Sequence, residues 1–330
     1  MITKGIGGIK KARLGQFPTP MYELENAGRA IGRALYVKRD DMSGVSTGGN
    51  KVRKLEYLLA DALGQNADIV LTTGGAQSNH AMLTAACCNM VGLEAMLVLK
   101  KRGVLGRAGN LLLNDLLGAD VRFVDTDTYD DVYREMDTIA GELRAKGRKP
   151  YLVPVGGSVP IGTLGYVECA QEIFAQAKER GVKLDRIVCT AGSGGTMAGL
   201  VLGAMLYGEG CRVTGIAVCD DPFEEIVAEL VSETARLMGR GDISLSPGEV
   251  DVRRYYGAGY AQPSREGLAA IRLMAKTEGL VLDPVYTGKT FAGLVDLCQR
   301  GEIGQNETVL FLHSGGAASL FAIDPVKTVE

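Results

Sequence analysis

Short apolar runs alternate with longer stretches of helical periodicity along most of this chain. Residues 34–38 (Ala-Leu-Tyr-Val-Lys) read as a strand, residues 51–63 as an amphipathic helix, and 69–72 as a buried strand. A small-residue helix follows at 81–90, then a strand at 95–99, a helix at 110–117, a strand at 121–124, a helix at 129–146 and a strand at 151–155. After Gly156-Gly157-Ser158-Val159-Pro160 the alternation resumes with a helix at 162–180 and strands at 186–190 and 213–218. Helices at 222–238, with Ile226, Leu230 and Leu237 on related faces, and at 264–278 come next, and a final buried strand lies at 309–312. Residues 1–33 read as loop and a short helix around the turn Phe17-Pro18-Thr19-Pro20. Residues 255–263 form an aromatic and glycine loop, and 282–289 a second loop centred on Tyr286. Strands separated by helices of this length imply right-handed β-α-β units and parallel sheets. The Gly-Pro cluster at 156–160 is where the chain would cross between two α/β domains.

The glycines sharpen this picture, because many stand where an apolar strand gives way to a helix. One such passage is Gly74-Gly75-Ala76-Gln77-Ser78-Asn79-His80, and another is Ala191-Gly192-Ser193-Gly194-Gly195-Thr196-Met197. A glycine loop opening a helix presents unpaired amide groups to an anion. The second loop fails as a dinucleotide fingerprint, since Met197 occupies the place of the third glycine. It can still wrap a single phosphate. Gly288-Lys289-Thr290 is no phosphate loop, because Asp283 stands where the upstream glycine belongs.

A third passage, Ser46-Thr47-Gly48-Gly49-Asn50-Lys51, leads into the helix at 51 with Asn50 as an expected N-cap. The helix dipole disfavours a cation at that end, so Lys51 needs another reason to be there. Desolvation or a neighbouring cation would lower its pKa and make it an amine nucleophile.

Composition excludes several function classes. The 330 residues are 46% hydrophobic and 23% charged with a formal net charge of -3, which lacks the basic excess of a nucleic-acid surface. No apolar run reaches the roughly 18 residues of a membrane span, and the first residues lack a secretory apolar core. The expected location is therefore cytoplasmic, with no membrane partner. The seven cysteines show no C-x-x-C pair and read as reduced core thiols. With only His80 and His313, a histidine metal site or triad is poorly supported, and no metal is expected. A bound cofactor must then supply any strong electrophile.

Lys38-Arg39-Asp40-Asp41, Gly48-Gly49-Asn50-Lys51 with Arg53-Lys54-Leu55-Glu56, Gln77-Ser78-Asn79-His80, Gly192-Ser193-Gly194-Gly195-Thr196, Asp283-Pro284-Val285-Tyr286 with Gly288-Lys289, and His313 with Gly315-Gly316 occur in this order. Together they resemble the D-cysteine desulfhydrase and 1-aminocyclopropane-1-carboxylate deaminase family of pyridoxal-phosphate enzymes, over nearly the whole chain. The resemblance implies the type II, tryptophan-synthase-β-like fold: two open α/β domains with parallel sheets. Residues 1–50 and 157–330 would form the larger, phosphate-binding domain and 51–156 the smaller. It further implies pyridoxal 5'-phosphate carried by Lys51, with Asn79 on its phenolic oxygen, residues Gly192, Ser193, Gly194, Gly195 and Thr196 on its phosphate, and Ser314 near its pyridine nitrogen. Ser78, with Gln77 beside it, would meet the carboxylate of an amino-acid substrate, and Tyr260 and Tyr286 would face substrate and ring. Relatives are commonly homodimers.

Two positions bear on the reaction. Deaminases of the family carry glutamate after the tyrosine and leucine before the final Gly-Gly, whereas Thr287 and Ser314 stand here and resemble the desulfhydrases; by that resemblance Thr287, with Asn79, would also meet the substrate. A neutral hydroxyl makes the cofactor a weaker electron sink, which favours prompt loss of a β leaving group. The expected reaction is α,β-elimination from D-cysteine. Ser46 and Thr47 resemble instead the L-cysteate sulfo-lyases and would bind a sulfonate, while Met82 and Leu83 replace a more polar pair common in both groups. A deaminase, and a non-catalytic protein retaining the fold, remain alternatives.

Overall fold

The computed structural model describes residues 2–101 and 106–323. The chain starts with a hairpin of β1 (Ile2–Lys4) and β2 (Lys10–Ala12), then β3 (Met21–Glu23), α1 (Glu25–Ile31) and β4 (Ala34–Arg39). Next come α2 (Lys51–Gly64), β5 (Ile69–Gly75), α3 (Asn79–Val91), β6 (Glu94–Lys100), α4 (Gly109–Leu116), β7 (Asp120–Val124), α5 (Tyr129–Ala145) and β8 (Pro150–Val153). The remainder supplies α6 (Pro160–Glu179), β9 (Arg186–Ala191), α7 (Gly195–Tyr207), β10 (Arg212–Ala217), α8 (Phe223–Leu237), β11 (Asp251–Arg254), α9 (Arg265–Glu278), α10 (Thr287–Gln299) and β12 (Thr308–His313).

These strands make two larger sheets. One has four strands in the order β7-β6-β5-β8, all parallel. The other has six in the order β11-β10-β9-β12-β4-β3, parallel except for the β3–β4 pair at one edge. Every residue of β5 and of β9 is buried, which is why both read as continuous apolar runs and not as alternating ones. In each sheet the order of strands reverses beside one of these two, between β5 and β8 and between β9 and β12. Ligands of open α/β sheets bind outside the carboxyl ends of the strands at such a reversal, so the topology marks the loops after β5, β8, β9 and β12.

A buried ionic network fixes the start of α2 against β4 and α6. The Arg53 guanidinium donates to Asp40 (2.8 and 2.9 Å) and to Glu172 (2.9 Å), lies 4.1 Å from the centre of the Phe17 ring, and shares Asp40 with the Tyr166 hydroxyl (2.5 Å). Lys38 pairs with Glu172. Burial works to raise the Asp40 carboxyl, and Arg53, Tyr166 and Lys38 override it, holding Asp40 below the usual carboxylate range. Charges this deep persist only when paired. The result is a rigid seat for the helix that opens with Lys51.

The structure departs from the sequence reading in several places. α6 begins at Pro160, whose fixed φ suits the first helical turn, and not at residue 162. Residues 287–289, read as loop, open α10. Thr and Gly at its start are weak helix formers, but Asp283 caps it: its carboxylate accepts from the Val285, Tyr286 and Thr287 amides (2.9, 2.9 and 2.8 Å) and from the Thr287 hydroxyl (2.7 Å). β11 has the charged sequence Asp-Val-Arg-Arg and hides from an apolar-run search because it is an edge strand. Asn50 has helical backbone angles and makes no cap bond; its amide donates to Thr196 Oγ1 (3.0 Å) instead.

Candidate active site

The four marked loops converge on a cavity of about 400 Å³. β5 sends Gly74, Ser78 and Asn79 to its wall, β8 sends Val155 and Gly156, β9 sends Gly192, Ser193, Gly194 and Thr196, and β12 sends Ser314. Of the other residues expected from sequence, Lys51, Tyr260 and Tyr286 line it, and so do His80, Lys100, Asp127, Tyr129, Cys219 and Asp221.

Lys51 is brought there by a lacing of distant chain. Gly49 forms a bridge with Gly315, and the Asn50 amide donates to the Ser314 carbonyl (3.0 Å). The approach needs glycine: at φ +88°, a Cβ on Gly315 would lie 2.8 Å from the Gly49 Cα. The Lys51 amine reaches the Gly156 turn, where a Cβ would stand 3.3 Å from Nζ. Burial lowers this amine from 10.5 to about 8, so a neutral, nucleophilic fraction exists at neutral pH.

One turn on, Lys54 is wholly buried, and its amine donates to the Gly156 carbonyl (3.1 Å) and to Ser158 Oγ (3.2 Å). Burial, then the charge of Lys51, hold Lys54 well below its ordinary value. Ser158 Oγ also donates to Ser193 Oγ (3.0 Å) and accepts from the Gly195 amide (3.1 Å). A Cβ on Gly195 would stand 2.7 Å from Lys54 Nζ. Two lysine amines, two serines and the amide-bearing start of α7 thus cluster at and just behind this side of the cavity wall, a donor set suited to an anion. Lys54 belongs to the Arg53-Lys54-Leu55-Glu56 motif, to which the sequence alone attaches no role. Its spacing of three from Lys51 puts both on one helix face, which is the signal that could have found it.

Asn79 is oriented by Asn110, another residue the sequence reading passed over. Asn110 Nδ2 donates to Asn79 Oδ1 (2.6 Å) and to the Gln77 carbonyl (2.9 Å). With its oxygen so engaged, Asn79 leaves its NH2 group free of Asn110 and beside Gly316, where a Cβ would stand 2.9 Å from Nδ2. Only the pairing of α4 with the start of α3 reveals this. His80 Nε2 meets Thr72 Oγ1 (2.9 Å), whose own proton goes to the Val153 carbonyl (2.9 Å). Nε2 is therefore the protonated nitrogen, and burial with the nearby lysine charges keeps the ring neutral.

The hydroxyls of Tyr260 and Tyr286 hydrogen-bond to one another, their ring centres 6.0 Å apart at 65°. Burial raises both phenols above their ordinary value, so both remain protonated. Five expected residues are not part of the wall. Ser46 and Thr47 are exposed on the turn before Gly48. Gln77 faces α4, accepting from the Asn110 amide (2.8 Å) and donating to the Ala108 carbonyl (3.2 Å), and the Thr287 hydroxyl is tied to Asp283. Gly195 sits just behind the wall on Ser158. His313, at the end of β12, accepts from the Gly315 amide (3.3 Å).

Among the described residues no cluster of metal-binding side chains occurs, and no helix is long and apolar enough to cross a membrane. Similarity to known proteins agrees with the geometry. Residues 12–315 match the family model described as pyridoxal-phosphate dependent enzyme. The D-cysteine desulfhydrase of Klebsiella pneumoniae is 39% identical over 318 residues, covering 93% of this chain and 94% of that one. The mitochondrial bifunctional D-cysteine desulfhydrase/1-aminocyclopropane-1-carboxylate deaminase of Arabidopsis thaliana is 38% identical over 320 residues, covering 93% and 78%. A crystal structure of an ACC deaminase homologue superposes with a TM-score of 0.88 at 42% identity, covering 94% and 93%. The buried amine, the anion cradle beside it and the two-sheet fold have one common explanation: this chain belongs to the pyridoxal-phosphate-dependent enzymes of fold type II.

Proposed function

We propose that this chain is a carbon–sulfur lyase that carries out α,β-elimination on D-cysteine, converting it with water to pyruvate, ammonia and hydrogen sulfide. The observation that carries the reading is the composition of the cavity wall around the buried Lys51 amine, where β12 contributes the neutral Ser314 and no carboxylate. Relatives carry the name D-cysteine desulfhydrase as well as the name putative 1-aminocyclopropane-1-carboxylate deaminase, so the choice between them rests on the wall.

The cofactor fits the residues present. Lys54, Ser158, Ser193 and the first amides of α7 would hold its phosphate, Asn79 Nδ2 would donate to its phenolic oxygen, and Lys51 would carry it. When bound, pyridoxal phosphate supplies the electron sink that lets bonds at Cα of an attached amino acid break. Lys51 Nζ, depressed to about 8, is basic enough to take the Cα proton and close enough to neutral to be free for it. The amino-acid carboxylate meets Ser78 at the start of α3, where the helix amides favour an anion. Tyr260 and Tyr286, kept as phenols by burial, offer a proton to the departing sulfur.

Ser46 and Thr47, the pair that resembles the sulfo-lyases, are exposed and away from the cavity wall, which supports D-cysteine over L-cysteate. The division into domains 1–50 with 157–330 and 51–156, and assembly as a homodimer, belong to this proposal. A panel of D-cysteine, L-cysteine, L-cysteate, D-serine and 1-aminocyclopropane-1-carboxylate, scored for sulfide, sulfite and keto acid, tests the substrate. Sulfide from D-cysteine that disappears in Lys51→Ala is the expected result. Sulfite from L-cysteate without sulfide from D-cysteine would overturn it.

A further inference from the structure

The passage Gly288-Lys289-Thr290 has no part in the cavity wall, yet Lys289 is among the largest fully buried side chains. It is the third residue of α10, where the dipole disfavours a cation. Its amine donates to two backbone carbonyls, Tyr256 O (2.8 Å) and Gly259 O (2.9 Å). Among the described residues no carboxylate is hydrogen-bonded to it.

Those two carbonyls belong to the loop that carries Tyr260. From 255 to 263 every residue is half-buried or exposed. The start of the loop is tied through Tyr255, whose amide donates to the Ala217 carbonyl (3.1 Å) and whose ring packs on the core, and through the Tyr256 hydroxyl on Asp220 (3.3 Å); beyond Tyr256 such ties are fewer. Gly257, Gly259 and Ala261 have positive φ (61, 133 and 60°), and glycine leaves the backbone its widest choice of alternatives. Internal bonds are few: Gly259 N to Tyr256 O (3.1 Å) and Gln262 N to Gly259 O (3.3 Å). The Lys289 amine bonds the same two acceptors and so joins both half-turns to α10. Tyr286 immediately precedes α10 and is held there by Asp283. The two tyrosines that meet in the cavity are thus fixed to one helix start by two different side chains.

We propose that Lys289 is a positioning residue that sets Tyr260 against Tyr286, by anchoring the 255–263 loop to the first turn of α10. The role of the tyrosine pair rests on the elimination reading above; the anchoring does not. Chymotrypsin, which cleaves after tyrosine, reads the loop directly in the cofactor-loaded enzyme without substrate. Lys289→Met should raise cleavage after Tyr256 or Tyr260 at least tenfold, with cleavage elsewhere unchanged. In D-cysteine turnover, Lys289→Met should lower kcat at least tenfold with KM within threefold. The double variant Lys289→Met/Tyr260→Phe should be no slower than the slower single variant. Parental cleavage of Lys289→Met, or losses that multiply in the double variant, would overturn the proposal. If Lys289→Met does not fold, Lys289→Gln, which keeps an amide donor at shorter reach, enters the same comparison. If the parent does not turn over D-cysteine, the elimination reading fails and the cleavage result alone decides the anchoring.

Discussion

Replacing Lys51 by methionine should make the cofactor-free protein more stable, and by an amount that depends on pH in a fixed sense. The Lys51 side chain is half-buried, and its desolvation lowers the amine from 10.5 to about 8. A fall of that size corresponds to about 3 kcal/mol of folding free energy spent on keeping the ammonium out of water. Below pH 8 both the folded and unfolded chains are protonated and the whole penalty applies. Between pH 8 and 10.5 the folded chain releases its proton while the unfolded chain keeps it, so the penalty shrinks and finally vanishes. Methionine has similar length and no charge, and Lys54 one turn away is relieved of a neighbouring cation. Urea denaturation of both proteins in phosphate-free buffer should show Lys51→Met ahead by about 3 kcal/mol at pH 7 and nearly equal at pH 10. Equal midpoints at pH 7, or a gap that does not close with rising pH, would refute the assignment of Lys51 as a desolvated, destabilised amine.

Lys54→Met should leave Lys51 in place but weaken cofactor binding about tenfold or more, because a charge-assisted contact to the phosphate is lost; equilibrium titration of the cofactor absorbance measures it. Asn110→Ala should weaken the same binding about three- to tenfold, the worth of one well-made hydrogen bond, by freeing the Asn79 amide to rotate. Gly48→Ala should abolish soluble folded protein, since its φ of +73° and the Asp41 carbonyl both leave no room for a Cβ; circular dichroism or a solubility assay checks it.

What the sequence disclosed and what it hid follow from the range of the interactions involved. Fully buried strands such as β5 and β9 announce themselves as apolar runs, and the glycines after them mark where backbone must stay bare. Lys51 was legible because a cation at a helix start is out of place. Lys289 breaks the same rule and was passed over with a rejected motif, since the carbonyls it serves lie about 30 residues upstream. Asn110 was invisible for the same reason: its partners, Gln77 and Asn79, lie more than 30 residues away. Thr287 was placed at the substrate through a resemblance between sequences, but its hydroxyl completes the Asp283 cap. The edge strand β11 escaped because charge, which keeps an edge from pairing, also erases the apolar pattern.

The bridge from Gly49 to Gly315 has a consequence for biosynthesis. The amine at position 51 is held by backbone that leaves the ribosome more than 260 residues later, so a nascent chain cannot assemble its reactive centre while it is being made. A product ending before β12 would have α2 seated on β4 and α6 but would lack the Gly315 bridge and the Ser314 carbonyl that hold Gly49 and Asn50 just before its first residue. Capture of the vitamin should therefore come after translation, as the last act of folding.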